Sequence, residues 1–257
     1  MTNATPVDVD ESTGPGAAPN GRKNRGVWLF IRDILFILLA ALVISFVIKT
    51  FLIRSFYIPS ASMTNTLEIN DRVIVSLLTP GLSPLKRGDV VVFTDPGGWL
   101  EPGEADIIPQ KQSPVTDVLA FLGLAAPDDN NHLIKRVIGL PGDHVKCCTA
   151  TGQLTVNGTP LVEPYLNLPA GVTQDDPYKF SVTVPKGDLW VMGDNRDMSA
   201  DSAYHFNRND PDPYVPVADV TGKAILISWP INRWTLLSNY PATFQNVKSA
   251  SGQGSSK

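Results

Sequence analysis

The sequence predicts a mainly β protein, in which one N-terminal transmembrane helix is followed by an antiparallel β-sheet domain that forms a partly closed barrel. The first observation is an uncharged and almost wholly apolar run over residues 34–48. The second is a series of short β-branched runs, separated by turns, from residue 55 onward. The third is that strands do not alternate regularly with long helices, which argues against parallel βαβ units. A chain of 257 residues is long enough to bury a substantial core.

The composition excludes several classes of protein. The net charge of −4 argues against a nucleic-acid-binding protein, which usually carries a basic face. Two cysteines cannot build a disulfide scaffold or a four-thiolate zinc site. The three histidines, His132, His144 and His205, lie too far apart for a metal-ligand spacing. We therefore expect neither a metal nor another cofactor.

The N-terminal part is predicted to comprise a disordered tail over residues 1–26 and a transmembrane helix with its flanks over residues 27–53. About 20 apolar residues cross the hydrocarbon core of a bilayer, and Trp28 suits its interface. A buried core helix is the alternative, although helices of soluble cores rarely lack a polar face over such a length. A cleavable signal sequence fits less well, because a long tail precedes the run and Lys49 and Arg54 follow it.

The orientation of the span follows from the positive charges on either side of it. Lys49 and Arg54 follow its centre, whereas four basic residues precede it: Arg22, Lys23, Arg25 and Arg32. By the positive-inside rule, the N-terminus is predicted to be cytoplasmic. The β domain, residues 54–246, is then predicted to lie on the outer face of the cytoplasmic membrane.

The strands of this domain are predicted from runs rich in β-branched residues, at 72–76, 90–94, 133–140, 145–148, 153–156, 180–184, 189–192 and 224–229. Asn157-Gly158 predicts a hairpin between 153–156 and 161–162, because a type I′ turn needs positive φ at both positions. Residues 95–131 form a long insertion, in which Ser113 and Pro114 are typical of the start of a short helix over 113–126. The apolar stripe of that helix packs either on its own domain or on lipid. Residues 247–257, which are rich in Ser and Gly, are predicted to form a second disordered tail.

Two residues are candidates for chemistry. Ser62 lies among small residues just after the rigid Pro59, so that its hydroxyl is sterically open, although such a segment is also ordinary loop composition. Lys135 lies between apolar neighbours in the predicted strand 133–140. If it is buried, its pKa is lowered and it can act as a general base. An edge strand that leaves the amine in water is the alternative.

A serine nucleophile needs a base, and histidine is the usual one. None of the three histidines lies in a context that suggests an acid–base triad. A Ser–Lys dyad is therefore the simplest arrangement.

Four ordered blocks carry a family resemblance: PSASM (59–63), RGDVVVF (87–93), KRVIGLPGD (135–143) and GDNRDMSADS (193–202). Together with the preceding apolar helix, they resemble the signature blocks of bacterial type I signal peptidases. The resemblance implies a membrane-bound serine protease that removes signal peptides from exported preproteins after Ala-x-Ala-like sites. It implies signal peptides and membrane lipid as partners and no nucleic acid, and we expect a monomer.

The same resemblance implies roles for individual residues. Ser62 would be the nucleophile and Lys135 the general base. Ser60 and the backbone N–H of Ser62 would form the oxyanion hole, Ser199 would hydrogen-bond Lys135, and Asp201 would organise the site from outside the dyad. Four residues match positions that line shallow apolar substrate pockets: Phe56, Ile58, Leu133 and Ile134.

Three positions depart from the family pattern. Asn65 stands where members of the family usually have Pro, which we expect to loosen the turn after Ser62. Met198 replaces a typical Asn. Ala203 replaces an Arg that pairs with the position of Asp201, so a buried Asp201 needs another partner, for which Arg196 and Arg208 are the candidates.

Two further questions stay open at this point. Cys147 and Cys148 are either two free thiols or one disulfide, and we assign them no role. Two rivals to the protease interpretation are a self-processing Ser–Lys protease and a catalytically silent, membrane-tethered binding module. The first usually carries a DNA-binding domain that this sequence lacks, and the second is suggested by Asn65, Met198 and Ala203.

Overall fold

The structure, a computed structural model, describes residues 23–100, 131–166, 168 and 177–249. The chain divides into two compact units, Met1–Ile44 and Ser45–Lys257. The predicted helix over 113–126 and most of the predicted insertion lie outside the described residues, as do residues 1–22 and 250–257 of the predicted tails.

A long helix, α1 (Lys23–Phe51), opens the described chain. Its apolar part, Gly26–Ile48, has 23 residues, which at a rise of 1.5 Å per residue gives about 34 Å, enough for a hydrocarbon core about 30 Å thick. None of this part is buried, and Phe36, for example, is 72 % exposed. The alternative of a buried core helix is therefore wrong. The helix ends at Phe51, before the predicted limit, because the first strand begins at Ile53.

The larger of two sheets contains the strands β1 (Ile53–Tyr57), β2 (Arg72–Ser76), β3 (Val90–Thr94), β4 (His132–Gly139), β9 (Asp188–Met192), β10 (Val215–Pro216), β11 (Val220–Trp229) and β12 (Thr235–Leu236). Their hydrogen-bonded order is β1-β2-β11-β3-β4-β9-β10, with β12 paired to β11. Every pairing is antiparallel. The order places β4 between β3 and β9, inside the sheet.

The smaller sheet contains β5 (His144–Cys147), β6 (Thr155–Val156), β7 (Thr159–Pro160) and β8 (Phe180–Thr183), in the order β7-β6-β5-β8. The predicted hairpin is confirmed at Asn157-Gly158, where φ is 50° and 77°. Its second strand is Thr159–Pro160 rather than the predicted 161–162. Within the described part of the domain there are two short α-helices, α2 (Ser202–Asn207) and α3 (Pro241–Phe244).

The antiparallel β architecture behind an apolar helix is therefore as predicted. In the described residues, the larger sheet runs from β1 at one edge to β10 at the other. Closure into a partial barrel remains a prediction. The insertion connects the adjacent ends of β3 and β4, since Thr94 pairs with His132 and the Asp95 N–H donates to Asn131 O at 3.1 Å.

In the part of the chain that the structure describes, apolar side chains form three cores. The turn core consists of Ile58, Met63, Leu67, Val73, Val75, Val90, Val92, Ile134, Ala224 and Ile227. The strand core contains Val91, Phe93, Trp99, Val137, Leu189, Val191, Val215 and Val220. The hairpin core combines side chains of the smaller sheet with Trp190 and Met192 of β9, and Val247, which we assigned to the C-terminal tail, packs against it.

Candidate active site

Ser62 lies in a compact turn between β1 and β2, which we call the serine turn (residues 59–67). The Thr64 N–H and hydroxyl both donate to Ala61 O, at 3.1 and 2.7 Å. The Leu67 N–H donates to Met63 O at 2.7 Å, and the side chains of Met63 and Leu67 are fully buried in the turn core. Two apolar anchors therefore fix the turn that carries Ser62, which is itself only 4 % exposed.

The Lys135 side chain reaches Ser62 from β4. Its Nζ donates to Ser62 Oγ at 2.8 Å, and the residue is 3 % exposed. Lys135 pairs with Val91 of β3 and is buried, so the alternative in which its amine lies in water is wrong. Ser60 Oγ lies 3.2 Å from Ser62 Oγ on the other side. Three predicted site residues thus meet at one hydroxyl.

The loop that follows β9 holds the serine turn from outside. The Asn195 backbone N–H donates to Ser62 O and its Nδ2 donates to Ala61 O, both at 3.1 Å. Asp194 accepts from Thr66 Oγ1 and from two nitrogens of Arg136, at 2.8 and 2.6 Å. Sequence reasoning missed Asn195 and Asp194 as turn-holding residues, although both lie within the 193–202 block.

Arg136, on the strand position next to Lys135, is fully buried and serves the scaffold rather than the dyad. It pairs with Asp194 and donates to Gly88 O at 2.7 Å, and its guanidinium lies 4.1 Å from the centroid of the Tyr165 ring. Burial lowers the pKa of Arg136, but the hydrogen bonds and charge of Asp194 outweigh it and the net pKa is raised. The pKa of Tyr165 is raised well above its usual range, first by burial and then by the charge of Glu163.

Ser199 is 6 % exposed and lies beside the serine turn, but its Oγ has no hydrogen-bond partner. The predicted hydrogen bond to Lys135 is therefore not formed in this structure. Gly193 allows the close approach, because a Cβ there would lie 2.3 Å from Ser199 Oγ and 2.5 Å from Ser62 O.

Asp201 finds its partners in the backbone. Its carboxylate accepts from the Gly193 N–H at 2.9 Å and from the Ala203 N–H at 3.0 Å, so that it caps the N-terminus of α2. The expectation of an arginine partner is wrong, since these amides already satisfy the buried charge. Arg196 instead pairs with Glu163 at 2.7 Å, and Arg208 lies 3.6 Å from Asp210.

The four apolar residues matched to substrate pockets do not all face one core. Ile58 and Ile134 belong to the turn core and Phe56 packs against it, whereas Leu133 packs against the strand core. Successive side chains of a strand point to opposite faces, which separates Leu133 from Ile134.

The three departures from the family pattern have different surroundings. Asn65 has a φ of 87°, and its Nδ2 donates to Tyr165 O at 3.0 Å and to Leu166 O at 3.3 Å. These two hydrogen bonds tie the turn to another segment, and a looser turn than one with Pro stays a prediction. Met198 is 64 % exposed, and Ala203 is fully buried in the hairpin core.

The remaining candidates lie outside the dyad. His205 contacts Asp210 and stacks on Trp99, and His144 contacts Ser181. The part of the chain that the structure describes holds no group of three or more His, Cys, Asp or Glu residues suited to a metal ion. Cys147 and Cys148 are joined in a disulfide, which answers the question that the sequence left open.

Comparison with known proteins yields one consistent family. The family model described as signal peptidase, peptidase S26, matches residues 31–229. A signal peptidase I of Mycobacterium tuberculosis (strain ATCC 25618 / H37Rv) is 42% identical over 245 residues, which cover 88% of this chain and 82% of that protein. A probable signal peptidase I of Mycobacterium leprae (strain TN) is 38% identical over 260 residues, covering 89% of this chain and 86% of that protein.

A more distant relative, a signal peptidase I of Leptolyngbya laminosa, is 37% identical over 193 residues, covering 75% of this chain and 77% of that protein. A crystal structure of a signal peptidase I from Enterococcus faecalis V583 is 24% identical, with a TM-score of 0.34, and covers 54% of this chain and 95% of that chain. The family match over residues 31–229 includes most of the apolar helix and both members of the Ser62–Lys135 pair, and the chain therefore belongs to the signal peptidase I family of serine endopeptidases, peptidase S26, which cleave signal peptides from secreted preproteins.

Proposed function

We propose that Ser62 and Lys135 are the catalytic dyad with which this chain cleaves the signal peptides of exported preproteins. The observation that carries the proposal is the 2.8 Å contact between Lys135 Nζ and Ser62 Oγ, with both residues buried. Burial disfavours the charged form of an amine, so we expect the Lys135 pKa to lie below its usual value of about 10.4. A neutral Nζ then accepts the Ser62 proton across the same contact.

The reaction proceeds in two acyl-transfer steps. Ser62 Oγ attacks the scissile carbonyl carbon while its proton passes to Lys135 Nζ. The resulting ammonium gives the proton to the leaving amide nitrogen as the C–N bond breaks, which releases the mature protein. Water then attacks the acyl carbon while Lys135 Nζ accepts a proton from it. The C–Oγ ester bond breaks, the Lys135 ammonium returns a proton to Ser62 Oγ, and the signal peptide leaves with a new carboxylate.

Negative charge develops on the carbonyl oxygen in each step. We assign its stabilisation to the Ser60 hydroxyl and the Ser62 backbone N–H, and such donors typically contribute 10²–10³-fold in rate. The Ser60 hydroxyl is suited to this task for two reasons. It lies 3.2 Å from Ser62 Oγ, the attacking oxygen, and Ser60 is exposed, so that a bound substrate can reach it. Ser199, whose buried hydroxyl has no partner, is proposed to rotate and orient the Lys135 amine. Asp201 fixes the loop that presents Ser199.

The apolar residues beside the dyad support a preference for small side chains in an Ala-x-Ala-like site. The side chains of Ile58 and Ile134 are almost completely buried in the turn core, and Phe56 is half-buried against it. Such a surface offers shallow contact rather than a deep pocket, which suits alanine side chains. Leu133, which packs against the strand core, would contact the substrate from the face of β4 opposite to that of Ile134.

Three observations support a membrane-anchored enzyme with its β domain on the outer face. The helix α1 is exposed and long enough to cross a bilayer, and more positive charges precede its centre than follow it. The Cys147–Cys148 disulfide is typical of an oxidising compartment outside the cytoplasm. The turn between β11 and β12 exposes Trp229, Ile231, Trp234 and Leu236, a composition typical of a membrane–water interface.

The test is cleavage of a purified preprotein with an Ala-x-Ala site by the detergent-solubilised full chain, with products identified by mass spectrometry. We expect one cut directly after the final Ala, which is lost in Ser62→Ala and in Lys135→Met while both variants keep the wild-type melting temperature to within a few degrees. Lys146→Met, which removes an exposed lysine of β5, is the matched control and should cleave normally. Unchanged turnover in Lys135→Met would refute the dyad. No cutting by folded wild-type protein, with lipid present, would favour the silent binding module.

A further inference from the structure

Asn65, a residue of the serine turn outside the dyad, ties this turn to a distant segment of the chain. Asn65 is exposed on that turn, and its φ of 87° lies in the left-handed region. Asn is one of the few L-residues that adopt this conformation readily, whereas the proline ring fixes φ near −65°. The turn of this chain is therefore built for Asn65 and has no place for the Pro of the family pattern.

The Asn65 side chain uses both of its amide hydrogens. Nδ2 donates to Tyr165 O at 3.0 Å and to Leu166 O at 3.3 Å, in a segment that lies about 100 positions further along the chain. An oxygen at the Nδ2 position would face two carbonyl oxygens and could bond to neither.

The segment that receives these bonds is itself fixed in the interior. Tyr165 is 1 % exposed, and its hydroxyl donates to Glu163 Oε1 at 2.7 Å. Arg196 Nη2 donates to the same oxygen at 2.7 Å. Arg196 follows Asn195, whose N–H donates to Ser62 O. The contacts thus close a ring that leaves the serine turn at Ser62 and returns to it at Asn65.

Two other attachments of the turn lead to a single loop. Asn195 binds Ser62 O, and Asp194 accepts from Thr66 Oγ1, both within the block 193–202. Asn65 connects the turn to a second part of the domain, and Arg233 Nη2 donates to Thr66 O at 3.4 Å from a third.

We propose that Asn65 is a positioning residue of the signal-peptide cleavage reaction, which keeps Ser62 Oγ aligned with Lys135 by tying the serine turn to the carbonyls of Tyr165 and Leu166. The inference rests on the proposed function of the dyad. Since it acts on the alignment of the nucleophile and not on substrate contacts, its loss lowers kcat and leaves KM unchanged.

The test is the substitution Asn65→Asp, which keeps the left-handed backbone and the side-chain shape but replaces the donor by an acceptor. Asn70→Asp is the matched control. Asn70 is also exposed with a φ of 75°, and its Oδ1 accepts from the Tyr57 hydroxyl, a contact that a carboxylate preserves. Both variants are made in the full chain, and kcat and KM are measured on the same preprotein beside wild type and Ser62→Ala.

We expect kcat to fall about tenfold in Asn65→Asp, the equivalent of about 1.4 kcal/mol, with KM within twofold and an unchanged circular dichroism spectrum. Asn70→Asp should match wild type. Asn65→Gly, which keeps the backbone freedom without the repulsion, should fall between the two. Equal kcat values for Asn65→Asp, Asn70→Asp and wild type would overturn the inference while leaving the dyad intact. A fall in kcat that is fully explained by a smaller folded fraction would also overturn it. If Asn65→Asp does not fold, full activity of Asn65→Gly would overturn it instead.

A wild-type protein that cleaves no better than Ser62→Ala would instead refute the proposed function. The two failures therefore give different patterns of activity across the same set of variants.

Discussion

A single methyl group at Gly193 should separate the serine turn from the loop that holds it. The Cβ of Gly193→Ala would lie 2.5 Å from Ser62 O, 2.3 Å from Ser199 Oγ and 2.6 Å from Ser199 Cβ. Ordinary contact begins at 3.4 Å, so the approach to Ser62 O is about 0.9 Å too short. Because that oxygen belongs to the backbone and accepts from the Asn195 N–H, the turn itself must move.

A displacement of about 1 Å at a reacting group costs on the order of 10²-fold in rate. We therefore expect kcat of Gly193→Ala to fall about hundredfold. Overpacking of this kind costs about 1–3 kcal/mol of stability, which lowers the melting temperature of a domain of this size by roughly 2–12 °C. The assay is cleavage of the Ala-x-Ala preprotein well below that temperature.

Gly81→Ala is the matched control, since nothing lies within 4 Å of its Cβ position and it should behave as wild type. The double variant Gly193→Ala/Ser199→Gly removes the contacts with the Ser199 side chain but not the one with Ser62 O. It should recover stability in part while its kcat stays low. A folded Gly193→Ala protein with the kcat of Gly81→Ala would refute the reasoning.

Three further predictions concern pH and the membrane. Activity should fall as the pH drops through the pKa of Lys135, because only the neutral amine accepts a proton; a kcat that stays flat down to pH 4 would contradict a lysine base. Burial raises the pKa of Tyr165 in the folded state above its unfolded value of about 10, so its contribution to stability is complete below that pH and is lost as the pH rises further. The melting temperature should accordingly fall less steeply above about pH 10 in Tyr165→Phe than in wild type, and parallel curves would contradict this assignment. In vesicles of lipids with brominated acyl chains, the quenched share of tryptophan emission should be smaller in a Trp229→Phe/Trp234→Phe variant than in wild type. Trp190→Phe, which alters a fully buried ring, should not reduce it. Equal quenching in wild type and both variants would exclude lipid contact by the turn between β11 and β12.

Local patterns in the sequence predicted most strands of the domain, because side-chain alternation and turn residues act within a few positions. The bounds of β2 and β3 are as predicted. The strands β10 and β12 were missed, since two residues carry no pattern and such strands form only by pairing with β9 and β11. The strand β1 was missed because it follows the apolar helix almost without a break, so that its first residue was counted with the span.

The amino-acid sequence alone predicts the apolar helix, the β character of the domain and, through four ordered blocks, the pair Ser62 and Lys135. It left the environment of Lys135 open, because alternation along a strand is the same in the middle of a sheet and at its edge. The tertiary contacts answer it, because they bury Lys135 and bring its Nζ to 2.8 Å from Ser62 Oγ. Likewise, only the fold shows that backbone amides satisfy Asp201 and that Asn65 anchors its turn, since both depend on partners brought together by contacts that no local pattern encodes.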